Sequence, residues 1–177
     1  MGLANYVAEV EKRLGYSLQP ARSYEFLTNI DEFGWEQGSD GNWHCTVFIE
    51  NGRVEDASGK PQKAGLREIA KVHKGVFRLT GNQHVTIADV TPEAKPEIER
   101  LMKEHHLDQF SHSGLRLSSS ACVAFPTCGL AMAESERFLP HLIDRVERIT
   151  EEAGLKHDSI VMRVTGCPKY YRSFLLI

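Results

Sequence analysis

The sequence predicts an α+β fold in which helices pack against one face of a sheet. Between residues 43 and 106 the apolar pattern runs in the order strand, helix, strand, strand, helix, which is typical of such a unit. The chain has 177 residues, of which 41% are hydrophobic and 25% are charged. This composition lies within the range of soluble globular proteins, and the length suits one domain of ordinary size.

The first predicted elements are a short helix, an irregular connection and a strand. Asn5 to Leu14 places its apolar residues on one helical face, and Gly15 can end that helix. Leu18 to Gly41 contains one proline and three glycines and predicts a long irregular connection. Trp43 to Ile49 alternates between apolar and polar residues, which indicates a strand with one buried face. Cys45 lies on that face, so we interpret it as a small core residue.

The following segment predicts two hairpins with a helix between them. Asn51-Gly52 is a strong signal for a two-residue hairpin turn. Val76 to Thr80 and Gln83 to Ala88 are extended segments joined by a tight connection at Gly81-Asn82. Gly75 closes the intervening helix. The helically spaced residues of that helix are Leu66, Ile69, Ala70 and His73.

Two more helices are predicted on either side of a cysteine-containing loop. Thr91-Pro92 supplies an N-cap and a first-turn proline. Pro140 opens a helix that ends at Gly154. The residues directed towards the core are Ile98, Leu101 and Met102 in the first helix and Leu142, Ile143, Val146 and Ile149 in the second.

One more helix and one more strand are predicted after Cys128. Gly129 to Phe138 is rich in helix-forming residues, so we expect a helix directly after Cys128. The positive N-terminus of such a helix would favour an anionic group near that thiolate. Ser159 to Thr165 is predicted to be a buried strand.

Three cysteines have a spacing that points to a metal or cluster site. Cys122 and Cys128 have five residues between them, and Cys167 follows after 38 more. Iron–sulfur clusters are held by cysteine thiolates, usually four of them, so one ligand is missing. The nearby carboxylates Glu134 and Glu136 are interpreted as the solvated face of a helix.

Zinc and a nucleophilic cysteine are the alternative interpretations of these thiols. Structural zinc sites need four ligands and prefer two to four residues between paired ones. The nearby histidines His105, His106 and His112 are interpreted as exposed loop residues. A stand-alone iron–sulfur or zinc module would need Cys45 as its fourth ligand, which the predicted strand position of Cys45 disfavours. No orienting base is identifiable for a nucleophilic cysteine.

Charge and hydropathy exclude several other classes of function. The net charge of −3 gives no broad reason to expect nucleic acid or an anionic membrane as a partner. No apolar run approaches the ~20 residues that a bilayer requires. The N-terminal residues lack the pattern of a secretory signal, so we expect a cytoplasmic protein whose cysteines are ligands rather than disulfides.

Five segments of the sequence resemble a known family in the same order. They are FIENGR, GLREIAKVHKG, FRLTGNQHVTIA, ACVAFPTCGLAMAESERFLP and IVMRVTGCP. These segments are similar to the sirohaem-containing nitrite and sulfite reductases. The Pro-Thr-Cys-Gly-Leu-Ala-Met-Ala run most resembles the haemoprotein (beta) component of the NADPH-dependent assimilatory type, and a ferredoxin-dependent sulfite or nitrite reductase relative is the alternative.

The resemblance implies a fold and a division of the chain. It implies a ferredoxin-like half-domain of the nitrite/sulfite reductase type, followed by part of an α/β domain that binds sirohaem and an iron–sulfur cluster. We expect an incoming linker at 1–41, the half-domain at 42–110, the partial cofactor domain at 111–168 and a non-family tail at 169–177. Only part of the second half of the family's proteins is represented.

The resemblance also implies the activity, cofactors and partners. The family reduces sulfite to sulfide with six electrons at a sirohaem joined to a 4Fe-4S cluster, in sulfate assimilation and cysteine biosynthesis. NADPH-derived electrons come from a flavoprotein (alpha) subunit. The basic residues that bind sulfite lie mainly in the half that this sequence does not resemble, so no catalytic residue is assigned.

The family's motifs imply seven site residues. Cluster ligands fall at Cys122, Cys128 and Cys167, and the family's fourth cysteine would stand at position 171, which is Tyr171 here. That cysteine bridges the cluster to the sirohaem iron, so we expect incomplete cofactor assembly. Residues matched to the sirohaem surroundings are Arg78, Asn82, Gln83 and Arg116.

The missing ligand leads to an expectation about the isolated chain. We expect it to be inactive alone, although the complete family protein is an enzyme. The non-enzymatic alternative is a truncated fragment or isoform that binds no cofactor. We also expect poor solubility, because uncovered sheet edges and apolar faces favour aggregation.

Overall fold

The computed structural model of the protein describes residues 2–25, 30–57 and 59–168. The strands are β1 (Gly34–Gln37), β2 (Trp43–Val47), β3 (Asp56–Ala57), β4 (Lys60–Pro61), β5 (Val76–Leu79), β6 (Val85–Val90), β7 (Ser120–Ala121) and β8 (Arg163–Val164). The helices are α1 (Leu3–Leu14), α2 (Gln62–Val72), α3 (Lys95–Glu104), α4 (Gly114–Ser118) and α5 (Leu139–Glu152), with a 3₁₀ turn at Glu50–Gly52. The predicted tail at 169–177, with Tyr171, lies outside the described residues.

A four-stranded antiparallel sheet forms the first unit, with α2 and α3 packed on one face. Its strand order is β1-β2-β6-β5. Alternate residues of β2 point to the helices, as the period of two along a strand requires. In β6 the alternation breaks at Asp89, which has φ 61°, so Val90 is buried as Val85 and Ile87 are. The buried residues of this core are Cys45, Val47, Ile49, Ile69, Val85, Ile87, Val90, Ile98, Leu101, Met102 and Leu107. The α+β prediction is therefore confirmed.

A second, smaller core lies under α5. We call the region formed by α4, β7, α5 and β8, with the loop between β7 and α5, the cysteine-containing unit. Strands β7 and β8 pair in parallel, with Ala121 opposite Val164. Helix α4 begins at Ser113, whose Oγ accepts a hydrogen bond from the Arg116 amide at 3.0 Å, a regular N-cap. The fully buried apolar residues here are Leu115, Ala121, Leu139 and Ile143.

Several sequence predictions are confirmed element by element. Helix α1 ends at Gly15 with φ 77°, and α2 and the β5–β6 hairpin lie where the patterns placed them. The three core residues expected in α3 are buried. Cys45 is fully buried, as the alternation predicted.

Two predictions about the first unit were wrong. The irregular connection contains an edge strand, β1, which begins at Gly34 with φ 94°, beside the ring of Phe110. Asn51-Gly52 forms a turn with φ 53° and 71° but no hairpin. Strand β2 instead pairs with β1 and β6, so sheet pairing overrides the local turn signal.

Three predictions about helix and strand limits also differ from the structure. Helix α3 begins at Lys95 rather than at Thr91-Pro92. A turn precedes it, in which the Thr91 carbonyl accepts hydrogen bonds from the amides of Ala94 and Lys95. The side chain of Ile149 in α5 is exposed. Only Arg163–Val164 of the expected buried strand pairs, and it is not fully buried.

Candidate functional site

The three matched cysteines lie on segments joined by main-chain hydrogen bonds. The Cys122 amide donates to the Val164 carbonyl at 3.2 Å, as part of the β7–β8 pairing. The Gly166 amide donates to Cys122 Sγ at 3.4 Å, which places this thiol beside the residue that precedes Cys167. The Cys128 amide donates to the Ala124 carbonyl at 2.7 Å. One loop system therefore carries all three thiols.

The segment after Cys128 is not the helix that was predicted. The amides of Met132 and Ala133 both donate to the Gly166 carbonyl, at 2.7 and 3.2 Å, and the Ala133 carbonyl accepts from the Phe125 amide. These cross-loop bonds use groups that a helix would need for its own i to i−4 ladder. The next helix begins only at Leu139, so no helix N-terminus lies directly after Cys128.

Gly166 is packed so closely that no larger residue fits. A Cβ atom at this position would lie 2.4 Å from the Ala133 carbonyl oxygen and 2.5 Å from the Ala124 Cβ. Close backbone approach of this kind is a characteristic use of glycine. The contact holds the loop containing Cys122 and Cys128 against the segment containing Cys167.

Three cysteine thiols are the type of donor that iron–sulfur clusters use. Cys122, Cys128 and Cys167 are free and partly exposed. Among the described residues, no three His, Cys, Asp or Glu side chains lie close enough to hold one metal ion. A single zinc ion needs every sulfur within about 2.3 Å of it, whereas a cluster spreads its thiolates over separate irons.

Cys45 is unsuited to be the missing ligand. Burial, with a smaller contribution from Glu99, raises the pKa of its thiol to about 12. A thiolate is the form that binds metal. The residue belongs to the sheet core rather than to the cysteine loop.

Arg116 is held by three carboxylates of the chain. Its guanidinium donates to Glu147 at 2.7 and 3.1 Å, to Glu50 at 2.6 Å and to Asp144 at 2.5 Å. Burial alone would lower the pKa of Arg116, but the hydrogen bonds to Glu147 and Asp144 raise it. Burial likewise opposes ionisation of Glu147, yet hydrogen bonds from Arg116 and Ser113 lower its pKa. Arg116 is thus charged and held in a fixed position on α4, in the same unit as the three cysteines.

The other matched residues lie on the β5–β6 hairpin. Arg78 on β5 is exposed and donates to both Asp89 carboxylate oxygens at 3.0 and 3.1 Å. Asn82 donates to Asp31 Oδ1 at 2.9 Å. Gln83 has φ 73°, and its side chain lies against Gly52.

A small cavity brings this hairpin near the segment that precedes Cys122. Asn82 lines it together with Ser118, Ser119, Ser120 and Arg163. The structure therefore places Asn82 near the segment that precedes Cys122, whereas Gln83 packs on the turn at Gly52. Arg78 is directed to the solvent-exposed edge of the sheet.

Glu136 was interpreted wrongly as a solvated residue. Its side chain is only 8% exposed, and both carboxylate oxygens accept hydrogen bonds from Arg53, one of them at 2.8 Å. The Asn51 side-chain amide donates to the Glu136 carbonyl at 3.1 Å. The helical interpretation of residues 129–138 concealed this contact, since it assigned carboxylates to an outer face.

His112 also differs from the exposed loop residue that was expected. It is partly buried against the ring of Phe48, with ring centroids 4.5 Å apart. Burial, and secondarily the charge of Arg116, lower its pKa. His112 therefore belongs to the packing between the two units rather than to a metal site.

A cavity of about 730 Å³ lies between the sheet unit and the cysteine loop. Its walls include Phe48 and Arg53 from the first unit and Phe125, Thr127 and Glu136 from the second. The volume is in the range of small-molecule and cofactor sites.

None of the described helices is long and apolar enough to cross a membrane.

The comparisons with known proteins agree with this architecture. A family profile described as the nitrite/sulfite reductase ferredoxin-like half domain matches residues 36–105. Residues 36–105 of the chain therefore form the ferredoxin-like half domain that nitrite and sulfite reductases contain. Its fold is similar to that of the Mycobacterium tuberculosis NirA protein, with a TM-score of 0.66 and 22% identity over 96% of this chain and 31% of that one.

The sequence is also similar to sulfite reductase subunits. It is 57% identical over 168 residues to the sulfite reductase (NADPH) hemoprotein beta-component of Afipia carboxidovorans, covering 94% of this chain and 29% of that protein. It is 52% identical over 172 residues to the sulfite reductase (NADPH) subunit beta of Saccharomyces cerevisiae, covering 95% and 12%. The chain thus spans less than a third of the length of these relatives.

Proposed function

We propose that this chain supplies the second ferredoxin-like half domain and the cysteine loop of a haemoprotein that reduces sulfite to sulfide with six electrons. The observation that carries the proposal is the hydrogen-bonded loop system that links Cys122, Cys128 and Cys167. Sequence identity above 50% to sulfite reductase haemoproteins over nearly the whole chain supports the same assignment.

The proposed cofactors are a 4Fe-4S cluster and a sirohaem. Cys122, Cys128 and Cys167 would hold three corners of the cluster, and the cofactors would supply the electron chemistry when bound. Arg116, Asn82 and Gln83 would orient the loop or bind polar groups of the sirohaem. For Arg78, a role at the sirohaem would require its release from Asp89.

The proposal includes the division of the chain and its partners. Residues 42–110 form the half domain, and residues 111–168 form part of the cofactor domain. The beta-component names of the relatives support a second subunit as partner. In this proposal the partner is a flavoprotein (alpha) subunit that would deliver electrons from NADPH in the cytoplasm.

A chimera tests the proposal directly. The segment of the Afipia carboxidovorans hemoprotein that aligns with this chain is replaced by residues 5–168 of this chain, so that the relative supplies its own fourth cysteine and remaining domains. We expect sirohaem and cluster absorption and sulfite-dependent oxidation of a viologen donor. Cys122→Ser in the chimera should abolish both, and Cys45→Ala should preserve both.

The outcomes separate the proposal from its alternatives. A folded chimera without cofactors or sulfite reduction would contradict it and favour a cofactor-free role. Activity with reduced ferredoxin but not with the flavoprotein subunit would place the chain with the ferredoxin-dependent relatives.

A further inference from the structure

The turn at Glu50–Arg53 connects the sheet unit to the cysteine loop. Asn51 and Gly52 both adopt left-handed backbone conformations, which asparagine and glycine tolerate best. A Cβ on Gly52 would lie 3.0 Å from the Gln83 Cβ, so the turn packs tightly on the β5–β6 loop. This geometry directs the side chains of the turn towards the second unit.

Three side chains of the turn contact the cysteine-containing unit. Glu50 accepts from Arg116 at 2.6 Å. Asn51 donates to the Glu136 carbonyl, and Arg53 donates to both Glu136 carboxylate oxygens. The buried Glu136 carboxylate depends on this arginine, because an unpaired buried charge is strongly unfavourable.

From Glu136 the contact continues to the cysteines. The preceding residue, Ser135, is fully buried and donates its hydroxyl to the Val164 carbonyl at 2.5 Å. The same carbonyl accepts the Cys122 amide at 3.2 Å. A single carbonyl, three residues before Cys167, is therefore shared by the Cys122 backbone and by the neighbour of Glu136.

We propose that Arg53 and Glu136 are positioning residues for the cysteine loop. Through Ser135 and the Val164 carbonyl, this pair fixes Cys122 relative to Cys167 and sets both against the loop that carries Asn82 and Gln83. The inference rests on the proposed function only in the role it gives this pair, which is to preorganise the thiolates that would hold the cluster. The Arg53–Glu136 contact itself is present in the chain without any cofactor.

The test uses Glu136→Gln in the full chain, with Glu134→Gln as the matched control. Glu134 lies two residues away and also pairs with an arginine, Arg137, at 2.9 Å, but both of those side chains are about half exposed. Two readouts are taken without cofactor: the rates of thiol modification at Cys122, Cys128 and Cys167, and amide hydrogen exchange over 120–133. Cys45 serves as the protected internal reference.

We expect Glu136→Gln to accelerate thiol modification and amide exchange roughly tenfold, since charged hydrogen bonds that restrain local opening are lost. Exchange in β2 and β6 should be unchanged. Arg53→Lys keeps the charge but loses the two-point contact, so it should give an intermediate increase in both rates. It also replaces Glu136→Gln as the test variant if Glu136→Gln does not fold. The exchanged pair Arg53→Glu/Glu136→Arg should restore part of the protection.

A cluster readout distinguishes positioning from simple stabilisation. After anaerobic reconstitution with ferrous iron and sulfide, Glu136→Gln should shift the reduction potential of the bound cluster, whereas Glu134→Gln should not. Rates in Glu136→Gln and Arg53→Lys equal to those in Glu134→Gln would overturn the inference. If the chimera with the Afipia carboxidovorans hemoprotein binds no cofactor while the exchange results hold, the proposed function fails and the positioning contact stands.

Discussion

At the scale of residues, the four cysteines divide into one core residue and three surface-accessible thiols. Cys45 is enclosed by the sheet and helices, whereas Cys122, Cys128 and Cys167 are partly exposed on one loop system. Because burial disfavours the thiolate, the pKa of Cys45 is raised and its thiol keeps its proton to higher pH. The division leads to a prediction about pH.

We predict that Cys45 makes the protein less stable at alkaline pH. Its pKa is raised from the usual 9.0 to about 12 in the folded chain, so above pH 9 only the unfolded chain loses this proton. The free energy of unfolding should then fall by about 1.4 kcal/mol per pH unit between pH 9 and 12. Urea unfolding at pH 8 and pH 10 measures this slope. Cys45→Ala should remove it, and an unchanged slope in that variant would refute the assignment.

A second prediction at this scale concerns the buried guanidinium of Arg116. Arg116→Gln leaves Glu147, Glu50 and Asp144 near one another without their shared cation. We expect a loss of about 2–4 kcal/mol in unfolding free energy. This is somewhat below the ~3–5 kcal/mol for breaking a fully buried ion pair, because Glu50 and Asp144 are partly exposed. Arg100→Gln removes a similar arginine that bridges Glu97 and Glu104 on an exposed face, and should cost under about 1 kcal/mol. Equal losses in the two variants, measured by chemical denaturation, would contradict the account.

At the scale of elements, the loop between Cys128 and α5 is defined by its contacts with Gly166. Its residues favour a helix by intrinsic propensity, but propensity is a weak determinant when long-range hydrogen bonds compete. Met132 and Ala133 bond to the Gly166 carbonyl instead. The cysteine loop is therefore a tertiary structure, held by a segment more than 30 residues away.

Gly166→Ala tests this dependence. The added methyl group would collide with Ala133 and Ala124, and forced overpacking typically costs about 1–3 kcal/mol. We expect a lower melting temperature and, after reconstitution, less bound iron. Gly129→Ala is the control, since a Cβ there meets nothing within 4 Å, and it should behave like the unaltered chain. Retention of full iron binding by Gly166→Ala would show that the close contact is dispensable.

Elements with strong periodicity were predictable from the sequence, and those set by distant partners were not. The alternation in Trp43 to Ile49 identified β2 and the inward position of Cys45. Nothing local to Glu136 indicates that Arg53, 83 residues earlier, is its partner. Likewise, the Asn51-Gly52 turn was detectable, but its use against the second unit depends on the pairing of β2 with β1 and β6.

At the scale of the whole molecule, strand β5 and helix α1 are exposed among the described residues. Strand β5 ends the sheet order, and all four of its residues are exposed. Helix α1 has no buried residue. Apolar edge strands favour association between chains, so the expected poor solubility of the isolated chain remains a prediction.

Leu79→Lys tests whether the β5 edge drives association. Leu79 is 84% exposed on β5, and a lysine on an edge strand disfavours strand pairing. We expect the variant to sediment as a smaller species than the unaltered chain at equal concentration. Leu3→Lys changes an 80% exposed leucine on α1 and should have less effect. Association that is equally strong in the Leu79 variant would exclude the edge as its cause.

The central proposal is that the three loop cysteines together would hold an iron–sulfur cluster. Its most direct test is the iron and acid-labile sulfide content of the chain after anaerobic reconstitution and desalting, compared with Cys122→Ser/Cys128→Ser/Cys167→Ser and with Cys45→Ala. We predict iron and sulfide in near-equal amounts in the unaltered chain and in Cys45→Ala, and neither in the triple variant. Equal iron in the triple variant and the unaltered chain, or none in either, would contradict the claim.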